Sequence, residues 1–408
     1  MRATERSTWR NRDVWAISLS AFFADTGYQS VLAGFPLLLV LVLHEPVWEF
    51  GLASALSYGG GALFSLAGAR IGDRIGHRRL ALIGNLMIPL LSLSALPSSP
   101  AAAVALLCAG WWARNLRTPS RRVMLVEAVP RETDRNSAFG FLHALDVGGG
   151  ALAGFYVLAA VLEGVALRWI FLVTVGPLLL STLALSRAQT GRGARSTSEP
   201  APRAADPRGD RPPPVLPGAR PLLAAAALYG FSYYSVGFPV LTLAQKGHHL
   251  AYGIGAFLVF QGVSAATGYL LGSRLSSGLA ARFTNLGLLG YLSSGVGSAL
   301  LAAAYAADLG TAPLMLGVAL LGFALGVIET LEPALMSVLR PGQRAGRAFG
   351  ALGAARSLGL VVANLALGLL YGLGPAWSYG YAASVALIAA AVVLWAVPTV
   401  RAYRPSAE

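Results

Sequence analysis

Long apolar runs follow one another along almost the whole chain, and only short polar connections separate most of them. Hydrophobic residues make up 55% of the 408 residues, charged residues only 12%, and the mean hydropathy is +0.62. A soluble chain of this size carries roughly twice that share of charged residues. Many of the runs reach the roughly 20 residues that a helix needs to cross a bilayer. The sequence therefore predicts an all-α membrane protein with many spans.

Twelve of these runs are predicted to be transmembrane helices. Several are longer than a perpendicular crossing requires, so we expect tilted helices or extensions into the cytoplasm. The predicted spans are 14–43, 47–71, 79–97, 101–128, 136–162, 166–186, 221–245, 252–278, 283–306, 311–339, 346–372 and 375–399.

The arginine residues predict the orientation of these spans. With twelve spans, the connections on one side contain most of the loop arginines, whereas the other side contains only Arg168 and Lys246. Cytoplasmic loops carry an excess of Lys and Arg, so both termini are expected in the cytoplasm. The net charge of +13 is thus a topology signal, and no nucleic-acid partner is expected because the arginines form no single stripe. Arginine outnumbers lysine 30 to 1, which indicates GC-rich codons and a bacterial inner membrane.

The composition changes abruptly between residues 187 and 220, where seven Arg and seven Pro lie among Gly, Ser and Ala. Such a segment has little apolar surface to bury and behaves as a flexible tether. We therefore predict a first six-helix bundle over residues 1–186, a cytoplasmic linker over 187–220 and a second six-helix bundle over 221–408.

The two halves repeat short sequence elements. The triplet Gly-Phe-Pro ends residues 26–36 in the first span and residues 229–239 in the seventh span. Ala-Phe-Gly occurs at 138–140 in the fifth span and again at 348–350 in the eleventh. Paired helices interrupted by Gly or Pro indicate a transporter whose substrate site lies between repeats near the membrane midplane. We expect the Gly-Phe-Pro triplets to bend their helices at the same depth.

A short charged turn at 72–79 connects the second and third spans. It resembles the signature Gly-x-x-x-Asp-Arg-x-Gly-Arg-Arg of the major facilitator superfamily of secondary transporters. Ala69 stands at the first Gly of this signature and His77 at an Arg. The matching residues are Asp73, Arg74, Gly76, Arg78 and Arg79. This resemblance implies two pseudo-symmetric six-helix bundles that work by alternating access, with this loop as a cytoplasmic latch.

Later elements resemble a poorly characterised bacterial branch of the superfamily. They are an Arg-Thr-Pro-x-Arg element at 117–121, Ala-Phe-Gly-Phe at 138–141 and Leu-Asp at 145–146. That branch often has Asp and Glu four residues apart in its first helix, and here the second position is Gln29. The Gly-Pro pair of antiporters is replaced by Ala-Gly at 153–154, so this motif does not support antiport.

Charged residues within the spans are the candidate transport residues, because each costs about 2.5–3.5 kcal/mol inside a bilayer. Asp25 lies deep in the first span, beside Tyr28 and Gln29. We expect Asp25 to bind a proton or a cationic substrate, with Arg114 in the fourth span as its partner. The alternative is a permanent ion pair between Asp25 and an arginine. Arg117 lies one turn from Arg114, whereas Arg121 and Arg122 are expected to anchor the helix in the cytoplasm.

Further candidates lie in the fifth, seventh, tenth and eleventh spans. His143 and Asp146 are one turn apart, which suits either a proton relay or a hydrogen bond that fixes the helix. Arg356 occupies the position in the second half that corresponds to Asp146. Glu329, with Glu332, either lines the inner mouth of a cavity or pairs with arginines at 340 and 344. Tyr233 is expected to line the site.

These features favour a secondary active transporter that moves a small molecule, with proton-coupled efflux of a drug or metabolite as the leading hypothesis. A lipid or lysolipid flippase and a metal-ion exporter are the alternatives on the same fold. A multipass membrane enzyme is remote because the sequence has no catalytic cluster. We expect no cofactor and no bound metal, a monomer, and the substrate, protons and the lipid bilayer as partners.

Overall fold

A computed structural model of the chain describes residues 11–129, 132–190, 218–272, 278–339 and 344–402. Most of the predicted linker, residues 191–217, lies outside these ranges. Within them the chain forms twelve helical segments: α1 Arg12–Val42, α2 Val47–Ile75, α3 His77–Met87 continued by the 3-10 helix Ile88–Ala95, α4 Pro100–Ala128, α5 Glu132–Leu162, α6 Leu167–Ser186, α7 Ala219–Ser232 and Gly237–Lys246, α8 Leu250–Gly272, α9 Leu279–Ala306, α10 Thr311–Leu339, α11 Arg344–Tyr371 and α12 Pro375–Ala402.

The predicted all-α architecture with twelve helices is confirmed, and most helix ends lie within a few residues of the predicted ones. Eight of the described helices are long and apolar enough to cross a membrane. Of the other four, α3 and α7 are each divided into two shorter helices, α4 carries several arginines in its second half, and α11 contributes only the shorter apolar stretch Arg356–Tyr371. These exceptions occur where polar groups and backbone breaks enter the apolar runs.

The chain divides into two compact units. Unit 1 comprises Met1–Leu43 and Gly60–Asp210, and unit 2 comprises His44–Gly59 and Arg211–Glu408. The first part of α2 therefore groups with unit 2, where Phe50 packs edge-on against Phe238 at 5.1 Å between ring centroids. The bundle boundaries expected from the sequence follow chain order and remain a prediction.

Unit 1 is built around α1, which packs most closely on α5 and α6. The contact with α5 depends on Gly149, because a Cβ atom there would lie 2.3 Å from the carbonyl oxygen of Phe22. Buried hydroxyl groups link α1 to α6, since Ser181 Oγ donates to the Ser20 carbonyl at 2.6 Å. Close contact between small residues and interhelical hydrogen bonds are the usual means of holding helices together in membranes.

One polar residue sets the ends of α1 and α4 at the same level. The Asn11 side chain accepts from the amides of Asp13 and Val14 at 2.9 and 3.3 Å and so caps α1. Its amide nitrogen also donates to the Ala128 carbonyl, the last residue of α4, at 2.8 Å. Residues about 14 positions from these two ends therefore share one depth, about 21 Å into the bundle at 1.5 Å per residue.

Unit 2 contains the interrupted helix α7. The chain leaves helical geometry after Ser232 and resumes at Gly237, where Ser235 Oγ accepts from the Gly237 amide at 3.2 Å. The Ser235 amide donates to Asn364 Oδ1 in α11 at 3.0 Å. Backbone breaks at membrane depth persist where neighbouring groups satisfy the freed amides. In α1 the related triplet lies in continuous helix that passes into a π-helical segment, Leu38–Val42, so the expected bend is a break only in unit 2.

Hydroxyl groups also fix the other end of α7. Thr242 Oγ1 is hydrogen-bonded to Tyr371 OH at 2.8 Å and to Tyr379 OH at 2.6 Å, which joins α7 to α11 and α12. Large apolar side chains such as Tyr269 and Trp395 are exposed on the outside of unit 2. Exposed apolar surface of this extent suits a protein surrounded by lipid.

We predict that Gly149→Ala destabilises the protein. The new methyl group would overlap the backbone of Phe22, which cannot rotate away, and overpacking of this kind costs about 1–3 kcal/mol. The measurement is the unfolding temperature of the purified protein in detergent. Gly148→Ala is the matched control, because its Cβ would lie 3.8 Å from the Phe22 ring, an ordinary contact. Equal unfolding temperatures for the two variants would show that α1 and α5 are not held this closely.

Candidate functional site

Two carboxyl groups meet inside unit 1. Asp25 of α1 is 4% exposed, and its side chain lies against that of Asp146 of α5, while Oδ1 of each acid has no hydrogen-bond partner among the described residues. Two carboxyl groups this close favour a shared proton, because like charges repel and only a protonated carboxyl group donates a hydrogen bond. Asp146 lies three residues before Gly149, so the close approach of α5 to α1 brings the acids together.

Arginines of α4 surround this acidic pair. Arg121 Nη2 lies 3.5 Å from Asp146 Oδ2. Arg114, at the same depth as Asp25, donates from Nη2 to Tyr28 OH at 3.0 Å. Its guanidinium carbon is 4.9 Å from the ring centroids of both Tyr28 and Trp111. An aromatic cage therefore holds Arg114, and the direct partner of Asp25 is the second acid and not this arginine.

Arg117 is the most buried of the arginines in this cluster. It is 1% exposed, and within the described ranges its Nε and Nη1 atoms have no hydrogen-bond partner. The same two atoms of Arg121, which is 6% exposed, also have no partner there. Unit 1 thus holds donor groups that its own described residues do not satisfy.

Unit 2 contains a second cluster of charged residues, centred on Arg356 of α11. Its Nη1 donates to Glu332 Oε2 at 3.1 Å and its Nη2 to Glu329 Oε1 at 2.9 Å. Glu332 is fully buried, and its other oxygen accepts from Tyr291 OH at 2.5 Å. The glutamates therefore pair with Arg356, whereas Arg340 and the side chain of Arg344 lie outside the described part of the chain.

Tyrosines cover this second cluster. The Arg356 guanidinium carbon lies 5.8 Å from the Tyr229 ring centroid and 5.6 Å from that of Tyr233. Tyr229 stacks on Tyr291 at 4.9 Å. Tyr233 is the first residue of the break in α7, so the interruption places its ring against a charged group.

Two of the predicted site residues stay apart from these clusters. Gln29 is half-buried and His143 is exposed, and neither forms a hydrogen bond with another residue that the structure describes. Asp146 contacts Asp25 and Arg121 and not His143. The proton relay between His143 and Asp146 therefore has no supporting contact between the two side chains.

The charged turn between α2 and α3 is a one-residue break at Gly76, whose φ of +96° favours glycine. Arg78 donates to the carbonyls of Ser186 and Ala188 at 2.6 and 2.9 Å and so binds the end of α6. His77 lies between Asp73 and Ser120, at 3.3 and 3.2 Å. Arg74 and Arg79 are exposed, and the latch role of this turn remains a prediction.

The segment that follows α6 is bound a second time. The amides of Gln189 and Thr190 donate to the two carboxylate oxygens of Asp13 in α1, each at 3.0 Å. The first residues of the predicted linker are thus attached to both α1 and α3.

Comparison with known proteins agrees with this arrangement of helices and loops. The sequence model of the Major Facilitator Superfamily matches residues 17–302, more than two thirds of the chain. The chain belongs to the Major Facilitator Superfamily. The resemblance seen in the turn at 72–79 is thereby confirmed, and the protein is a multipass membrane transporter of this superfamily. No curated protein matches the chain.

Solved structures of other transporters share the fold. A D-xylose–proton symporter superposes with a TM-score of 0.74 at 14% identity over 93% of this chain and 97% of that one. A POT family transporter in complex with a thioalcohol-conjugated peptide gives 0.72 at 15% identity over 95% and 96%. The nucleoside transporter NupG gives 0.70 at 13% identity over 95% and 99%. At these identities the likeness establishes the fold alone.

Sequence reasoning missed parts of both clusters. Arg121 was expected to be an anchor in cytoplasmic water, yet it is 6% exposed and contacts Asp146. Its spacing of four residues from Arg117 was a usable signal, because such residues share a helix face. Tyr291 gave only the weak signal of a hydroxyl group in an apolar run.

We predict that Arg356→Met strongly destabilises this superfamily member. The substitution leaves Glu332 fully buried without its cation, and breaking a buried pair in this way costs about 3–5 kcal/mol. Glu329→Gln is the control, because Glu329 is half-exposed and an exposed pair is worth at most about 1 kcal/mol. Chemical unfolding in detergent measures both changes. Adding Glu332→Met to Arg356→Met is expected to restore most of the lost stability.

Proposed function

We propose that this protein is a proton-coupled secondary transporter in which the Asp25–Asp146 pair takes up and releases the transported proton. The observation that carries the proposal is the contact between two carboxyl groups inside a transporter fold. Ionisable groups at membrane depth commonly mark proton relays and substrate paths. Two helices, α1 and α5, supply the two acids, so a change in protonation acts on the packing between helices.

The arginines give the pair two arrangements. With one proton present, the carboxyl groups bind each other and Arg121 contacts Asp146. When the proton leaves, two like charges in contact repel, and each carboxylate is better satisfied by a guanidinium group. Arg117 and Arg121 each have two donor atoms, Nε and Nη1, without a partner among the described residues, and these atoms could bind the carboxylates. Loss of the proton thus exchanges an acid–acid contact for two acid–arginine contacts, which moves α1, α4 and α5 relative to one another.

We propose that the protein works by alternating access, as its superfamily membership implies. Protonation of the acid pair would shift the equilibrium between the two access states. The turn at 72–79 would act as the cytoplasmic latch, with both chain termini in the cytoplasm of a bacterium. Proton coupling occurs on this fold, since one of the similar structures is named as a D-xylose–proton symporter. Efflux as the direction of transport stays a prediction from the sequence.

A small-molecule substrate fits better than the other classes considered. Among the residues that the structure describes, no group of three or more His, Cys, Asp or Glu side chains forms a possible metal site. A lipid or lysolipid remains the second candidate because both units expose much apolar surface. The charged clusters contain paired acids and arginines and no nucleophile–base arrangement, so we propose no enzymatic activity.

We predict that Asp25→Asn abolishes proton-driven transport. An amide occupies the same space and keeps a hydrogen bond, but it cannot bind and release the proton. The protein is reconstituted into liposomes, and a panel of labelled metabolites and drugs is tested for movement driven by a pH gradient of either direction. Any compound that responds in the wild type should lose its response in Asp25→Asn and in Asp146→Asn.

Glu163→Gln, at the exposed end of α5, serves as the control and should transport normally. Infrared spectra supply a readout that needs no substrate: the band of a buried protonated carboxyl group should be present in the wild type and absent in Asp25→Asn. Undiminished pH-driven transport by Asp25→Asn would refute the proposed role of the pair.

A further inference from the structure

The internal repeat shows which charged groups the fold itself requires. Helices α4 and α10 are both 29 residues long, and Arg117 and Ile328 hold the same place in each. A Cβ atom at Gly84 would meet Arg117 Cβ at 2.7 Å, and one at Gly290 would meet Ile328 Cγ1 at 2.9 Å. The same helix–helix contact is therefore made by arginine in unit 1 and by isoleucine in unit 2. Packing alone does not call for a guanidinium group at Arg117.

A second comparison shows that the ion pairs next to this contact have opposite polarity. Arg121 of α4 holds the place of Glu332 of α10, and Asp146 of α5 holds that of Arg356 of α11. The Arg121–Asp146 distance is 3.5 Å and the Arg356–Glu332 distance is 3.1 Å. Each unit thus pairs these two positions, but the cation is on α4 in one unit and on α11 in the other.

The two units differ in how completely their charges are satisfied. In unit 2, Arg356 contacts two glutamates, and both oxygens of the buried Glu332 accept a hydrogen bond. In unit 1, four arginines of α4 face two aspartates, which leaves an excess of positive charge. Buried guanidinium donors without acceptors cost about 1–3 kcal/mol or more. An anion would supply both the missing acceptors and the missing charge.

We propose that Arg117 and Arg121 bind an anionic group of the transported substrate, a carboxylate or a phosphate. The guanidinium fork matches the geometry of both groups and binds them with two parallel hydrogen bonds. The unpartnered Nε and Nη1 atoms of both residues are donors on this fork. The inference rests on the proposed transport function and adds the class of substrate.

Binding of the anion and of the proton is linked in this site. Among the described residues, the charged groups that act on the Asp25–Asp146 pair are Arg114, Arg117, Arg121 and Arg122, all of α4. Ionised carboxylates compete with an incoming anion for these guanidinium groups, and a proton on the pair removes that competition. Proton and anion therefore strengthen each other's binding by the same factor. This linkage favours symport, in contrast to the efflux expected from the sequence.

The test measures anion binding without transport. The unfolding temperature of the purified full-length protein in neutral detergent is recorded with inorganic phosphate, with succinate and with lysophosphatidylglycerol. Sodium chloride at matched ionic strength and lysophosphatidylcholine are the corresponding blanks. We expect at least one anion to stabilise the wild type, with a dissociation constant that is lower at pH 5.5 than at pH 7.5. A response to lysophosphatidylglycerol alone would identify a lipid headgroup as the source of the anionic group.

Arg117→Ile is the decisive variant, because unit 2 accepts isoleucine in the same place. We expect it to fold, to keep its unfolding temperature without ligand and to bind the anion at least tenfold more weakly. Arg117→Lys should weaken binding less, since it keeps the charge and loses only the fork. Arg168→Gln removes an exposed arginine far along the chain from the site and should bind like the wild type.

Two outcomes would overturn the inference: no anion shifts the wild type beyond its blank, or Arg117→Ile binds as tightly as the wild type. Asp25→Asn separates this inference from the proposed function. For the same anion, its dissociation constant should change less between pH 5.5 and pH 7.5 than that of the wild type does. Unchanged pH-driven transport by Asp25→Asn would refute the proposed proton site. Loss of anion binding in Arg117→Ile would still support the anion site in that case.

Discussion

The contact between α1 and α5 at Gly149 determines the chemistry of unit 1. The missing side chain lets the two backbones approach, and the approach presses Asp25 against Asp146. Two acids in contact at this depth, with arginines on a third helix, form the site that we propose binds and releases a proton. Other contacts in unit 1 hold α1 in this position. Asn11 joins the start of α1 to the end of α4, and a hydroxyl hydrogen bond joins α1 to α6.

The repeat uses one scaffold for two different charge arrangements. Unit 2 has a closed network in which arginine, two glutamates and a tyrosine satisfy one another, as expected of a structural cluster. Unit 1 places arginine where unit 2 has isoleucine, and guanidinium donors there have no acceptor among the residues that the structure describes. Because corresponding positions in the two units make the same helix contact, unit 2 serves as a comparison for unit 1. The open arrangement belongs to the half that also contains the acid pair.

The sequence was sufficient for the fold because twelve apolar runs and the arginine-rich turns are strong, local signals. It also located Asp25, since a lone acid in an apolar run is costly and visible. It did not locate the partner of Asp25: that depends on how α5 rotates against α1, which a single sequence does not encode locally. Arg121 was read as an anchor because distance along a helix was taken as distance to water. The chain breaks in α7 and not in α1, and the break in α7 is stabilised by Asn364 on another helix. The local sequence of α7 does not reveal that partner.

Side chains of α1 and α3 bind the residues that follow α6, at the start of the long connection between the units. Asp13 and Arg78 bind backbone groups between residues 186 and 190, so the chain is attached to α1 and α3 as far as Thr190. Because α1 also carries Asp25, these bonds connect the residues after α6 directly to the helix that holds one acid of the pair.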